Sequence, residues 1–148
     1  MRLVIQRVSQ ASVKIDNAIV GSINQGLLVL VGIGHEDKEA DIDWLLNKLL
    51  SMRIFSDEEG KMNCSVLDVK GQLLSVSQFT LLAKTKKGNR PSFINSAQPE
   101  MAKSLFELWC KKASELIDHQ SGVFAADMQV GLINDGPVTI SIDSKNRE

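Results

Sequence analysis

Histidine and cysteine are scarce in this chain: His35, His119, Cys64 and Cys110 are all that 148 residues contain. No CxxC or HExxH spacing exists, so no structural zinc is expected, and both cysteines read as reduced core thiols. No apolar run approaches the length that spans a bilayer. Leu3-Val4-Ile5 passes at once into Gln6-Arg7, too short a run for a signal peptide, and a cytoplasmic protein is expected. GxSxG is missing, and both histidines stand in charged, loop-like or helix-end contexts, which disfavours a Ser-His-Asp hydrolase. Gly32-Ile33-Gly34 follows an apolar strand, but Asp37 stands where a third glycine belongs and there is no P-loop lysine. A nucleotide-binding loop is therefore not indicated.

Acidic residues are missing from one long window. Between Val69 and Pro99 there is no Asp or Glu, while Lys70, Lys84, Lys86, Lys87 and Arg90 give it +5 against −6 for the remainder of a chain with net charge −1. So small a total argues against coating long nucleic acid. The local excess suits either a solvated loop or the end of a short polyanionic ligand. A hydrophobic fraction of 43% and a charged fraction of 24% are ordinary for a globular protein and leave only the polar tail from about Asp143 to Glu148 as a candidate for disorder. At this length residues 1–148 are expected to form a single domain that buries about two-thirds of its unfolded surface.

Period-two alternation and turn residues predict strands at Leu3–Val8, Val13–Ile15, Ala18–Ile23 and Leu27–Val31, separated by Asp16-Asn17 and Asn24-Gln25-Gly26. A helix follows, with Asp37 as N-cap and Ile42, Leu45, Leu46 and Leu49 as its buried stripe. A short strand near Val66–Val69 precedes a longer one from Gln72 to about Leu82. Ser96 is the expected cap of a second helix, with Pro99 in its first turn and Ala102, Leu105, Phe106, Trp109 and Leu116 on its buried face. Two further strands flank Asn134-Asp135-Gly136-Pro137. The order predicts an α+β fold with two main helices and a mixed or antiparallel sheet partly closed on itself.

Asn134-Asp135-Gly136-Pro137 alone reads as a turn in which the proline is surplus. Proline fixes its own φ, restricts Gly136 and makes a cis bond accessible, so a rigid main-chain corner is the other reading.

Four motifs together, Ser77-Gln78-Phe79-Thr80-Leu81, Gly88-Asn89-Arg90-Pro91-Ser92-Phe93, Phe124-Ala125-Ala126-Asp127-Met128-Gln129-Val130 and Asn134 to Thr139, resemble the D-aminoacyl-tRNA deacylase family, in the right order and from Met1 to about Ile142. The resemblance implies a metal-free and cofactor-free homodimeric esterase that frees tRNA from D-amino acids, and from glycine mischarged on tRNA(Ala). It implies active sites at the subunit interface, with a Gly-cisPro pair, here Gly136-Pro137, entering the partner's pocket as a filter against L-amino acids. It places Gln78 and Thr80 at the catalytic position, and Ser77, Phe79, Arg7, Phe124 and Met128 around the substrate, Arg7 supporting the Gly-Pro loop. Ordinary strand or core packing is the plainer reading of Ser77, Phe79, Thr80, Phe124 and Met128, and a surface cation that of Arg7. In an extended strand Gln78 and Thr80 would share one side, so backbone N–H groups at the strand end are expected to hold the oxyanion. Thr80 as nucleophile lacks a visible base, and a water assisted by the 2′-OH of the terminal adenosine is the favoured route. Lys84, Lys86, Lys87 and Arg90 then acquire acceptor-end phosphates as ligands. The alternatives are a paralogous deacylase that accepts L-amino acids and a non-catalytic RNA-binding or protein-interaction module on the same scaffold.

Overall fold

The computed structural model describes residues 1–147. In chain order they form β1 (Arg2–Ile15), β2 (Ala18–Ile23), β3 (Gly26–Gly32), α1 (Glu39–Ser51), β4 (Phe55–Ser56), β5 (Met62–Cys64), β6 (Gln72–Ser77), a 3-10 turn (Phe79–Leu82), α2 (Pro99–Ser114), β7 (His119–Ser121) and β8 (Gln129–Asp143). β3 is the fully apolar run, and its burial on both faces places it inside the sheet. It pairs antiparallel with β1 and parallel with β6, which pairs parallel with β7; β1 also pairs antiparallel with β2 and β8. The sheet is mixed and curls until β2 touches β6 and β7. The expected α+β architecture is the one observed.

Each face of this sheet has its own core. Leu3, Ile5, Leu27, Val29 and Leu73 meet both helices on one face, while Val8, Ala11, Val13, Leu28, Leu74 and Val76 fill the inside of the curl. β1 serves both cores because it carries a bulge: Val8 pairs with Asn134 and Gln10 with Ile133, so Ser9 is surplus and the odd-numbered residues change face. The two segments predicted from Leu3 and from Val13 are thus one bent strand. α1 buries Ile42, Leu45, Leu46 and Leu49 as expected; α2 buries Ala102, Phe106, Trp109 and Ala113.

Several local expectations fail for identifiable reasons. Asp37 is not the cap of α1; Lys38 holds that position, its N–H bonded to Asp41, while Asp37 takes the Met1 amino group and the Gly34 N–H. Ser96 does not cap α2, whose N-cap is Gln98 and whose first residue is Pro99. Leu116 lies beyond the end of α2 and is exposed, and Leu105 is only partly buried. Val66–Val69 is a turn, and the small hairpin pairs Phe55–Ser56 with Met62–Cys64 instead. The polar end is held in place: Ser144 is buried and accepts the Met1 amino group, Lys145 reaches Asp41, and Arg147 lies over the Trp44 ring. Burial alone would raise the Asp41 carboxyl, but hydrogen bonds from Lys145, Ser144 and the Lys38 N–H outweigh it and bring its pKa to about 2.

Candidate active site

β3 and β6 run parallel and finish together, with Val31 opposite Ser77. The Gln78 N–H makes one more bond, 2.8 Å to the Val31 carbonyl, and the chain then turns into the 3-10 segment. The expected strand to Leu82 stops here because Gly32 leaves room for the turn. A Cβ at Gly32 would lie 2.7 Å from Leu82 Cδ2 and 2.9 Å from Leu81 Cβ. The carbonyl ends of parallel strands are a common place for ligands in open sheets, and a cleft of about 530 Å³ opens there.

Ser77, Gln78 and Phe79 line one wall of this cleft, Phe124 to Met128 another, and Ser96, Ala97 and Pro99 close it over an apolar floor that includes Val76 and Ile33. A larger cavity of about 780 Å³ lies elsewhere, between α1, the 65–68 turn and the end of α2, and contains none of the motif residues. Phe79 is 56% exposed, so it is not core; its ring meets Phe93 edge to face at 5.0 Å. Phe124 is set against Phe106, and Met128 seats its sulfur where a Cβ at Gly122 would be. Gln78 Nε2 donates to Thr80 Oγ1 at 2.5 Å, which joins Thr80 to the cleft wall. The two side chains do share a side, through a tight turn instead of strand pleating.

The peptide groups of the turn are arranged unequally. The Gln78 carbonyl accepts the Leu81 N–H at 3.3 Å, and the Phe79 carbonyl accepts the Ser96 hydroxyl at 3.3 Å. Among the described residues the N–H groups of Phe79 and Thr80 meet no acceptor. Each of these two N–H groups therefore belongs to a peptide whose carbonyl is already bonded, which polarises the N–H further. Arg2 Nη1 fixes the far end of the turn through the Leu81 carbonyl. Asp127, which the sequence reading passed over, is the one ionisable side chain lining the cleft among the described residues. Its place beside Phe124 and Met128 was the available signal.

Gly136-Pro137 is not a hairpin turn. Both flanks belong to β8 and pair with β1: Asn134 opposes Val8 and Thr139 opposes Gln6, so four residues, Asp135 to Val138, stand opposite Arg7 alone. The result is a wide bulge that carries Gly136 and Pro137 into solvent, with the bond between them cis. Arg7 is largely buried; its Nε donates to the Asp135 carbonyl at 2.8 Å and its Nη1 to the Ile54 carbonyl at 2.6 Å. It is thus a strut beneath the bulge and not a surface cation. Neither Arg7, Gly136 nor Pro137 lines the cleft. Lys84, Lys86, Lys87 and Arg90 sit on an exposed loop that Lys84 and Ser92 close by two backbone bonds, and none has a carboxylate partner among the described residues.

The mixed, curled sheet thus carries the cleft at the ends of two parallel strands and the Gly-Pro bulge on its outer strand. The chain belongs to the D-Tyr-tRNA(Tyr) deacylase family, whose model matches residues 4–143. A solved structure of c-Myc DNA unwinding element binding protein is 37% identical and superposes with a TM-score of 0.92, over 97% of this chain and 98% of that one. A structure described as a probable eukaryotic D-amino acid tRNA deacylase shares the fold at 16% identity, with a TM-score of 0.81 over 95% and 98% of the two chains. The protein is accordingly a hydrolase of the aminoacyl-tRNA ester bond that acts in translational proofreading. No helix among the described residues is long and apolar enough to cross a membrane.

Proposed function

We propose that this deacylase removes D-amino acids, and glycine mischarged on tRNA(Ala), and rejects L-amino acids by means of the Gly136-Pro137 corner of a second copy of the chain. The observation that carries this reading is the pair of unpartnered N–H groups at Phe79, on the wall of an apolar cleft, and at Thr80 next to it in the chain. Two preorganised donors of this kind stabilise the oxyanion of ester hydrolysis by a few kcal/mol. Thr80 is a poor nucleophile here, because the side chain hydrogen-bonded to its hydroxyl is an amide, which is not a base. A water assisted by the ribose 2′-OH fits better, with Ser77, Phe79, Phe124 and Met128 holding the terminal adenosine and aminoacyl group. Lys84, Lys86, Lys87 and Arg90 then contact acceptor-end phosphates.

A dimer is favoured because the two halves of the motif set lie apart within one chain. β8 is an outer strand of 15 residues that exposes Leu132 and Ile133 beside the bulge. Such an edge calls for a partner. A main-chain corner brought against the cleft cannot swing aside as a side chain does, so it excludes one enantiomer by collision.

Matched D- and L-aminoacyl-tRNA, incubated with the protein while ester loss is followed, test the reading. Loss of the D ester alone is expected. Loss of the L ester points to the paralogous activity, and binding without loss points to a non-catalytic module. The Thr80→Ala variant should retain turnover, whereas tRNA ending in 2′-deoxyadenosine should not. Normal rates on the deoxy substrate, lost again in Asp127→Asn, would move the proton acceptor from RNA to Asp127.

A further inference from the structure

We propose that Asn134 is a positioning residue for the Gly136-Pro137 corner, acting as a built-in substitute for the strand partner that the bulge has lost. This rests on the stereochemical reading above. A strand residue ordinarily has its N–H and C=O paired across the ladder, but the only residue opposite Asp135 to Val138 is Arg7. Asn134 fills the gap with its side chain. Its Oδ1 accepts the Val138 N–H at 2.7 Å, and its Nδ2 donates to the Val138 carbonyl at 3.3 Å. The side-chain amide thus pairs with both backbone groups of one residue, as a facing peptide would.

Thr139 braces that amide. The Val138 N–H and carbonyl fix which end is oxygen and which nitrogen, and Thr139 Oγ1 accepts a further bond from Asn134 Nδ2 at 2.9 Å. Val138 packs its side chain on the core shared with the helices. The foot of the bulge is therefore anchored from below by packing and from the side by Asn134, while Arg7 holds its opposite foot at Asp135. Gly136 and Pro137 span two fixed points. Asn is the residue this requires: Asp would keep the Val138 N–H bond but turn a carboxylate oxygen toward the Val138 carbonyl, and Ala would leave both groups to water.

The readout is the ratio of kcat/KM for D- over L-aminoacyl-tRNA, because general damage lowers both rates together while a displaced corner changes their ratio. In Asn134→Ala and Asn134→Asp the ratio should fall about tenfold or more, since small misplacements at a reacting site are costly. Thr139→Val, which keeps every backbone bond and loses only the anchor of Nδ2, should lower it by roughly threefold to tenfold, and Thr139→Ser should restore it. Thermal melts identify any variant that does not fold, and Thr139→Val then carries the test. A selective wild type whose folded variants keep its ratio within about twofold, or lose both rates in parallel, overturns the role of Asn134 alone. A wild type that hydrolyses both enantiomers alike overturns the stereochemical reading and this one with it.

Discussion

Gly136 occupies a backbone conformation, φ 134°, that residues with side chains rarely adopt, and a Cβ there would stand 2.7 Å from Arg7 Nη2. Arg7 is not free to yield, since its Nε and Nη1 already hold the carbonyls of Asp135 and Ile54. Gly136→Ala should therefore displace the corner itself, and the ratio of kcat/KM for D- over L-aminoacyl-tRNA should fall at least about tenfold while the protein stays folded. Steady-state kinetics beside a melting curve check this. Much of the candidate cleft is readable from the chain: Ser77, Gln78 and Phe79 stand out as a motif, Phe124 and Met128 as another, and the fold puts all five along it. Asn134 and Asp127 were not legible. Asn before Asp-Gly looks like any turn residue, and its work depends on Arg7 lying opposite, more than a hundred residues earlier in the chain.

The end of β6 shows how an element acquires a function that propensity does not announce. Ser77 to Leu82 has the alternation of a strand, yet Gly32 on the neighbouring strand admits a turn whose two free N–H groups face no protein acceptor. Gly32-Ile33-Gly34 is thus a spacing device and not a nucleotide loop. Gly32→Ala should push the turn outward by contact with Leu81 and Leu82 and reduce kcat by roughly a hundredfold, with KM affected less. β8 posed the opposite difficulty. Alternation on both sides of Gly136-Pro137 fits two hairpin strands or one bulged strand equally well, and only the common partner β1 decides between them.

Behind β6, Trp109 Nε1 donates to Ser75 Oγ, which bonds His119 Nε2, while His119 Nδ1 meets Ser114 Oγ. Burial holds the His119 pKa below 6.5, only partly opposed by Asp118. Below pH 6.5 the unfolded chain takes up a proton that the folded one refuses. This contribution to stability is therefore complete above that pH, and is lost as pH falls toward the folded-state pKa. Melting temperature should drop as pH falls from about 7.5 to 5.5, and His119→Gln should flatten that dependence.

Taken whole, the molecule is nearly neutral, but the loop from Lys84 to Ser92 carries Lys84, Lys86, Lys87 and Arg90 with no acidic residue among them. Affinity for tRNA should come largely from that loop. Reversing Lys86 and Lys87 to Glu should weaken binding and make the dependence of log K on log salt shallower by about 1.5, the amount expected for two lost phosphate contacts. A titration at several salt concentrations measures it, and an unchanged slope would assign the loop to solvent. The mixed curled sheet followed from the order of elements, because a buried apolar strand and two amphipathic helices admit few arrangements. The dual-core use of β1 did not, since it depends on a one-residue bulge that hydropathy does not mark.

β1 also sets an order of events during synthesis. It can pair with β2 and β3 as soon as they emerge, but its other edge, from Arg2 to Lys14, is closed by residues 129–143. A growing chain therefore carries that edge open until residues 129–143 have been made, and pairing so distant in sequence is slow to form. The bulge opposite Arg7, and the part of the cleft wall that Val130 supplies, can take shape only once this strand has joined β1. Through that interval the open edge of β1 is the part of the molecule most exposed to capture by a wrong strand.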